Sequence, residues 1–263
     1  MNKTQWIVVL TGVVLFAGLY FGSTNVPPET GELTKARAEI ADQGQAAAYL
    51  DEAQQAIEAS NQLELLVLED SIRQEEDMTL KLNMLERLSG GYYGSGQPLA
   101  AAIIAEDIAQ ERGTAEAWSI AGTTYLLSIR AMEVEAKRSF AAQQAKVAFE
   151  NAISLAPQDI NHRINLANVY IEKPAQDNPM QGILMLRDLS EQYPGEAPVY
   201  SRLATLAIQT GQYQRAVERL EVALELDPDN VRALQLMARA YQGLGNSSKV
   251  QEYQAAAAAA AEG

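Results

Sequence analysis

The sequence predicts an all-α fold of stacked helix pairs, and three observations carry the prediction. First, Ala197–Asn230 reads as two amphipathic helices joined by a tight turn. Tyr200, Leu203, Ala204 and Ala207 share one helical face, Thr210-Gly211-Gln212 is the turn, Ala216, Leu220 and Ala223 share the next face, and Asp227-Pro228 stops it. Second, variants of this pattern recur on both sides. Third, 48 % of the 263 residues are hydrophobic, alanine prominent among them, while only 6 % are aromatic. Alanine costs least in a helix and packs poorly on a pleated sheet. A helix pair of this kind cannot bury its apolar face alone and must stack on its neighbours.

The bulk charge narrows the function. A formal net charge of −14 argues against nucleic-acid binding, which needs a positive surface to release counterions, and against lying flat on anionic lipid. With no cysteine, disulfides, thiolate metal sites and cysteine nucleophiles are excluded.

In chain order, Trp6 to Gly22 is an apolar run without a charge. At 1.5 Å per residue it spans roughly 25 Å, the short end of a membrane helix. Trp6 and Tyr20 stand near its ends, where amphipathic rings prefer the interface. Lys3 precedes the run, and Glu29 and Glu32 come before the first bases beyond it, Lys35 and Arg37. This distribution predicts a signal anchor over residues 1–22, with the N-terminus in the cytoplasm and the body across the membrane. The alternatives are a cleaved signal peptide, for which no convincing small-x-small site is present, and a buried soluble helix. Gly18 and Gly22 have the spacing of a helix dimer seam, a motif that in one short helix usually arises by chance.

Residues 23–32, with Pro27-Pro28, read as a linker. Residues 33–77 read as one or two helices with Ala36, Ile40, Ala47, Leu50, Ala53, Ile57 and Leu63 at three- and four-residue spacing, bent or divided at Gln43-Gly44-Gln45. Packing against the start of the stack is the reading favoured over a dimerising coiled coil, because large a/d residues are not sustained. Residues 78–114 form an irregular pair: Leu82, Leu85, Leu88 and Tyr92 on the first helix, a turn among Gly90, Gly91, Gly94 and Gly96, and Ala101, Ala105 and Ile108 after Pro98. A phosphate loop is excluded by the missing Gly-Lys-Ser/Thr and the helix-turn-helix context.

The next pair begins at Ala115. Trp118, Ala121, Gly122 and Tyr125, then Ala145, Phe149, Ala152 and Pro157, are similar to the signature of the tetratricopeptide repeat (TPR) family. The insertion between its halves, close to three helical turns, predicts two lengthened helices with a protruding tip around Met132 to Ser139. There Arg130, Lys137 and Arg138 make a basic spot that touches phosphate headgroups or an acidic partner, or else is merely solvated. A third unit runs from Ile160 to Gly195, with Leu166, Ala167 and Tyr170, a long loop from Glu172 to Pro179, then Gly182, Leu186 and Leu189. The last begins at Val231, carries Leu234, Met237, Ala238, Tyr241 and Gly245, and ends in an alanine run from Ala255 to Ala261. The TPR resemblance implies a right-handed superhelical solenoid of about five helix pairs over residues 78–263.

The same resemblance implies function. A membrane anchor followed by such a solenoid resembles bacterial envelope assembly proteins, including TPR factors of cytochrome c maturation. It implies a scaffold on the periplasmic side of a bacterial inner membrane that binds a protein client, or else a structural component that self-associates. The inner wall would be made by first-helix side chains: Asn161, Ile164, Asn165, Asn168, Arg202, Thr205, Ile208, Arg232, Gln235 and Arg239. Glu116, Ser119, Thr123 and Ser201 belong to the same rows. The asparagines resemble part of the family's peptide-holding ladder. The lysines of its carboxylate clamp are absent, with Arg202, Arg232 and Arg239 as candidate substitutes.

No catalytic chemistry is expected. His162 is the single histidine, near the start of a first helix, and reads as a surface or capping-region residue. No calcium-loop spacing occurs. The expectation is a non-enzyme without cofactor or metal.

Overall fold

The computed structural model describes residues 28–57 and 59–262. Among them are twelve helices and no strand. The predicted membrane span Trp6–Gly22 lies outside the described residues, within which no helix is long and apolar enough to cross a membrane. The chain divides into two compact units, 1–52 and 53–263.

In the first unit the described element is most of α1 (Pro28–Ala56). The helix begins at Pro28, inside the predicted linker 23–32, whose residues 23–27 lie outside the described residues. Proline breaks a helix interior but suits the first helical position, where its missing N–H has no intrahelical partner. Gly44 does not divide α1 either; a solvated glycine costs roughly 1 kcal/mol in a helix but removes no hydrogen bond.

The second unit opens on the last turn of α1, where Ala53 and Ile57 are buried. It continues with α2 (Ala59–Gln74), α3 (Met78–Gly94), α4 (Pro98–Arg112), α5 (Ala115–Ala131), α6 (Glu135–Leu155), α7 (Ile160–Glu172), α8 (Gln181–Gln192), α9 (Ala197–Gln209), α10 (Tyr213–Leu226), α11 (Val231–Gly243) and α12 (Ser247–Glu262). Each helix from α2 onward packs on the next one in sequence. The first helices of the pairs also touch one another, α5 on α7, α7 on α9 and α9 on α11. That contact makes them one continuous wall.

Three details depart from the sequence reading. The predicted stripe through Leu63 is wrong: Leu63 is 66 % exposed, while Leu65 and Ile72 are buried. The helix restarts at Ala59, which resets the phase of the 3.6-residue period. Helix α3 runs through Gly90 and Gly91 to Gly94, so the turn is confined to Ser95-Gly96-Gln97. Only Gly96 there has positive φ, like Gly211 and Gly245 in the equivalent turns (φ 72–76°); a side chain would be strained in this region. The tip of the long pair is the short turn 132–134.

The helix starts are capped where the sequence offers a short polar side chain. Asp77, Thr114 and Asn230 each accept the N–H three residues on, from Leu80, Ala117 and Ala233. Between pairs, buried tyrosines clip one first helix to the preceding second helix. Tyr92 donates to Glu69 at 2.7 Å and Tyr125 to Glu106 at 2.6 Å. Burial, and then Glu106, push the Tyr125 phenol up from its ordinary value. Lys146 sits over the Tyr170 ring at 4.8 Å. The stack ends on α12, whose Tyr253 stacks on Tyr241 at 5.6 Å, with Ala257 buried in the alanine run.

Candidate partner-binding surface

The wall formed by α5, α7, α9 and α11 presents side chains that the packing between helices does not use. On α11, Arg232, Gln235 and Arg239 are exposed at spacing i, i+3, i+7, one helical face. On α5, Ile120 is 52 % and Leu127 40 % exposed, again seven residues apart. Taken singly, exposed aliphatic side chains are normal on a protein surface; here the two share one face of α5 with the wall.

The predicted wall residues divide by their surroundings. Arg232, Gln235 and Arg239 are open, and Asn165, Asn168, Arg202 and Thr205 are half-buried. Ile164 is buried in the cluster of Ile160, Ala167, Leu186 and Leu203, so it is core and offers a partner nothing. Ile208 packs against the next core cluster beside Ala204 and Ala207. Asn161 is exposed, but its amide donates to the capping Asp159 at 2.9 Å. Thr205 donates back to the Ser201 carbonyl of its own helix at 2.9 Å. The asparagine ladder is therefore engaged within the protein, with Asn168 donating to Asn165 at 3.5 Å.

Arg202 is the centre of the wall's charge. Its Nε donates to the Asn168 side-chain oxygen, which fixes the guanidinium on α9 against α7. Burial lowers the Arg202 pKa first, then the Arg130 charge; Glu172 opposes the shift and Arg232 adds to it. Arg130 itself holds Glu172 at 2.6 Å.

The basic tip is not the free spot the sequence suggested. Besides the Arg130–Glu172 pair, Arg138 donates to the Glu172 carbonyl at 3.4 Å, and Lys173 pairs with Glu135 at 2.6 Å. These contacts tie the long α5–α6 pair to the end of α7. Arg130 was missed as a wall residue because its place depends on the extra turn of α5, which sequence spacing predicted without saying where the turn would lead.

At the other end of the wall, a depression of about 580 Å³ lies between α5 and α7, lined by Glu116, Ser119, Ile120, Thr123, Asp159 and His162. His162 is 5 % exposed, correcting the surface reading. Its Nε2 stands 3.5 Å from Asp159, and its Nδ1 has no partner within the protein. No group of three or more His, Cys, Asp or Glu among the described residues is placed to hold a metal.

Comparison with known proteins places the repeat. Residues 207–262 match the family model for the tetratricopeptide repeat, and stacked repeats of this kind build concave surfaces for protein contact. No curated protein matches the chain. Among solved structures, a crystal structure of MamA is 16 % identical, covering 70 % of this chain and 94 % of its own, with a TM-score of 0.40. MamA from Desulfovibrio magneticus RS-1 (residues 41 to the end) is 15 % identical, covering 69 % and 95 %, with a TM-score of 0.41. YrrB, described as a TPR protein with an unusual peptide-binding site, is 14 % identical, covering 73 % and 91 %, with a TM-score of 0.37. TM-scores of this size establish no shared overall shape.

Proposed function

We propose that this chain is a membrane-tethered scaffold that holds a protein partner along the wall of its first helices. The observation that carries the reading is the wall itself. Four first helices, α5, α7, α9 and α11, are in serial contact, and they leave Ile120, Leu127, Arg232, Gln235 and Arg239 unburied on their faces. Rows of exposed apolar and guanidinium groups on a rigid stack suit recognition of another polypeptide. The repeat match over residues 207–262 supports the same reading.

The tether is the apolar run Trp6–Gly22. With Lys3 ahead of it, the run would set the stack on the periplasmic side of a bacterial inner membrane, where the scaffold serves envelope assembly. Tethering contributes by raising the effective concentration of a partner that is itself in or near the membrane.

Crosslinking in intact membranes followed by pull-down tests this. The expected result is a discrete protein recovered with the full chain and reduced when residues 1–22 are removed. Fractionation of the full chain entirely with soluble protein would remove the tether from the account. Recovery of only the chain itself would replace the scaffold with a self-associating structural component.

A further inference from the structure

We infer that the wall recognises an acidic polypeptide segment, whose side-chain carboxylates dock on a row made by Arg130, Arg202 and Arg232. The inference rests on the reading of the wall as a partner-binding surface, and it names the chemistry of the partner.

The chain carries 34 acidic against 20 basic residues, so its surface as a whole repels acidic polypeptides. The row is the exception. Arg130 comes from α5, Arg202 from α9 and Arg232 from α11, and both flanking charges act on Arg202. At Arg202 the opposing carboxylate is Glu172, and it is already held by Arg130 at 2.6 Å. Folding therefore gathers positive charge that the protein leaves incompletely neutralised. Repulsion of this kind is relieved by an anion from outside.

The central guanidinium is pre-set for the task. Its Nε is bonded to Asn168, and among the described residues no acceptor stands on its two terminal nitrogens. A half-buried, oriented guanidinium forms strong paired hydrogen bonds with a carboxylate, because it has lost competing water before the partner arrives. Arg130, Arg202 and Arg232 come from three different helices of the wall, α5, α9 and α11. Three guanidiniums drawn from three helices offer more than one docking point to successive side-chain carboxylates of an extended segment. Leu127, 40 % exposed, lies three residues before Arg130 and on the same face of α5. The segment therefore carries a large apolar residue beside its acids.

The test is fluorescence anisotropy with the full chain in mild detergent. The probe is a labelled peptide of alternating Glu and Asp followed by Leu-Leu, acetylated and amidated so that no terminal charge remains. The expected result is saturable binding that weakens with salt. It weakens about tenfold in Arg202→Gln, with helicity unchanged by circular dichroism. Arg232→Gln, an exposed position, weakens it severalfold, so the proposal does not depend on the half-buried variant folding. Arg187→Gln, the same charge change on α8, leaves it within about twofold. Equal binding of the Gln/Asn version overturns the proposal. So does tighter binding of that version with a free C-terminus, displacement by equimolar inorganic phosphate, or no binding. If the acidic peptide fails while a client still crosslinks to the wall, the scaffold reading survives and this inference falls. If both fail, the wall is not the binding surface.

Discussion

The α9–α10 pair and the α5–α6 pair solve one packing problem in two ways. In α9–α10 the helices have 13 and 14 residues, and the interior combines Val217 and Leu220 with Ala204, Ala207, Ala216 and Ala223. In α5–α6 they have 17 and 21 residues. There the interior is chiefly alanine, with Ala121, Ala141, Ala142, Ala145, Ala148 and Ala152 all at 0–2 % exposure, filled out by Tyr125, Ile129, Phe140 and Phe149. The first helix gains four residues and the second seven, close to one and two helical turns. Each apolar face therefore continues in phase. The lesson is that a repeat can be stretched in whole turns without leaving the stack, because whole turns keep its apolar face in phase. The added length carries Arg130 to Arg202, so the stretch reshapes the wall.

The comparison can be broken from both directions, by removing volume in one pair and by adding it in the other. Leu220→Ala, in α10, removes a fully buried side chain and should cost about 2–5 kcal/mol. Hydrogen exchange should show the loss concentrated in α9–α12, because repeats couple mainly to their neighbours. Equal loosening of α5–α6 would show that the two pairs are not separable. In α5–α6 the test is enlargement at the fully buried Ala148. Ala148→Leu should cost about 1–3 kcal/mol through overpacking, read as a lower urea midpoint, whereas a neutral result would mean that the long seam has slack.

Gly182 sharpens the point in the intervening α7–α8 pair. A Cβ there would lie 2.5 Å from the Ala167 carbonyl oxygen, while Ala216 occupies the fourth position of α10, two residues further into its helix than Gly182 stands in α8. Gly182→Ala should lower stability by about 1–3 kcal/mol, measurable by the same denaturation.

Smaller effects belong to the polar clips. Tyr125→Phe deletes the hydrogen bond to the half-buried Glu106 and should cost about 0.5–1.5 kcal/mol, because water can replace the hydroxyl. Asp107 gives the weakest signature. Although the residue as a whole is exposed, burial around its carboxyl group, and then Glu111, push its pKa from 3.8 up to about 6. The folded chain thus holds this proton more tightly than the unfolded one. Its contribution to stability is present below pH 3.8 and is lost as pH rises to about 6. Asp107→Asn should flatten that slope in pH-dependent denaturation; an unchanged slope would assign it to other groups.

Much of the fold was legible because the period is local. Tyr200, Leu203 and Ala204 lie within one turn of each other, and so do Ala216 and Leu220, so the pair is written in a short window. The lengthened pair was legible because eleven residues preserve helical phase. What failed was phase across a break: Leu63 was assigned to a stripe that ends at Ile57. The candidate site was less legible because its geometry joins residues far apart in sequence. Arg202 and Asn168 meet only through the packing of α9 on α7. Burial of Ile164 and His162 likewise depends on how closely the neighbouring helix approaches, a quantity no single helix encodes.

The central claim, that the wall of first helices holds the partner, is tested most directly by site-specific photo-crosslinking in intact membranes. The probes are placed at Thr123 and Gln235 on the wall and at Glu221 on the exposed face of α10. The account predicts one shared crosslinked partner from Thr123 and Gln235 and none from Glu221. A partner captured from Glu221 and absent from both wall positions would contradict it.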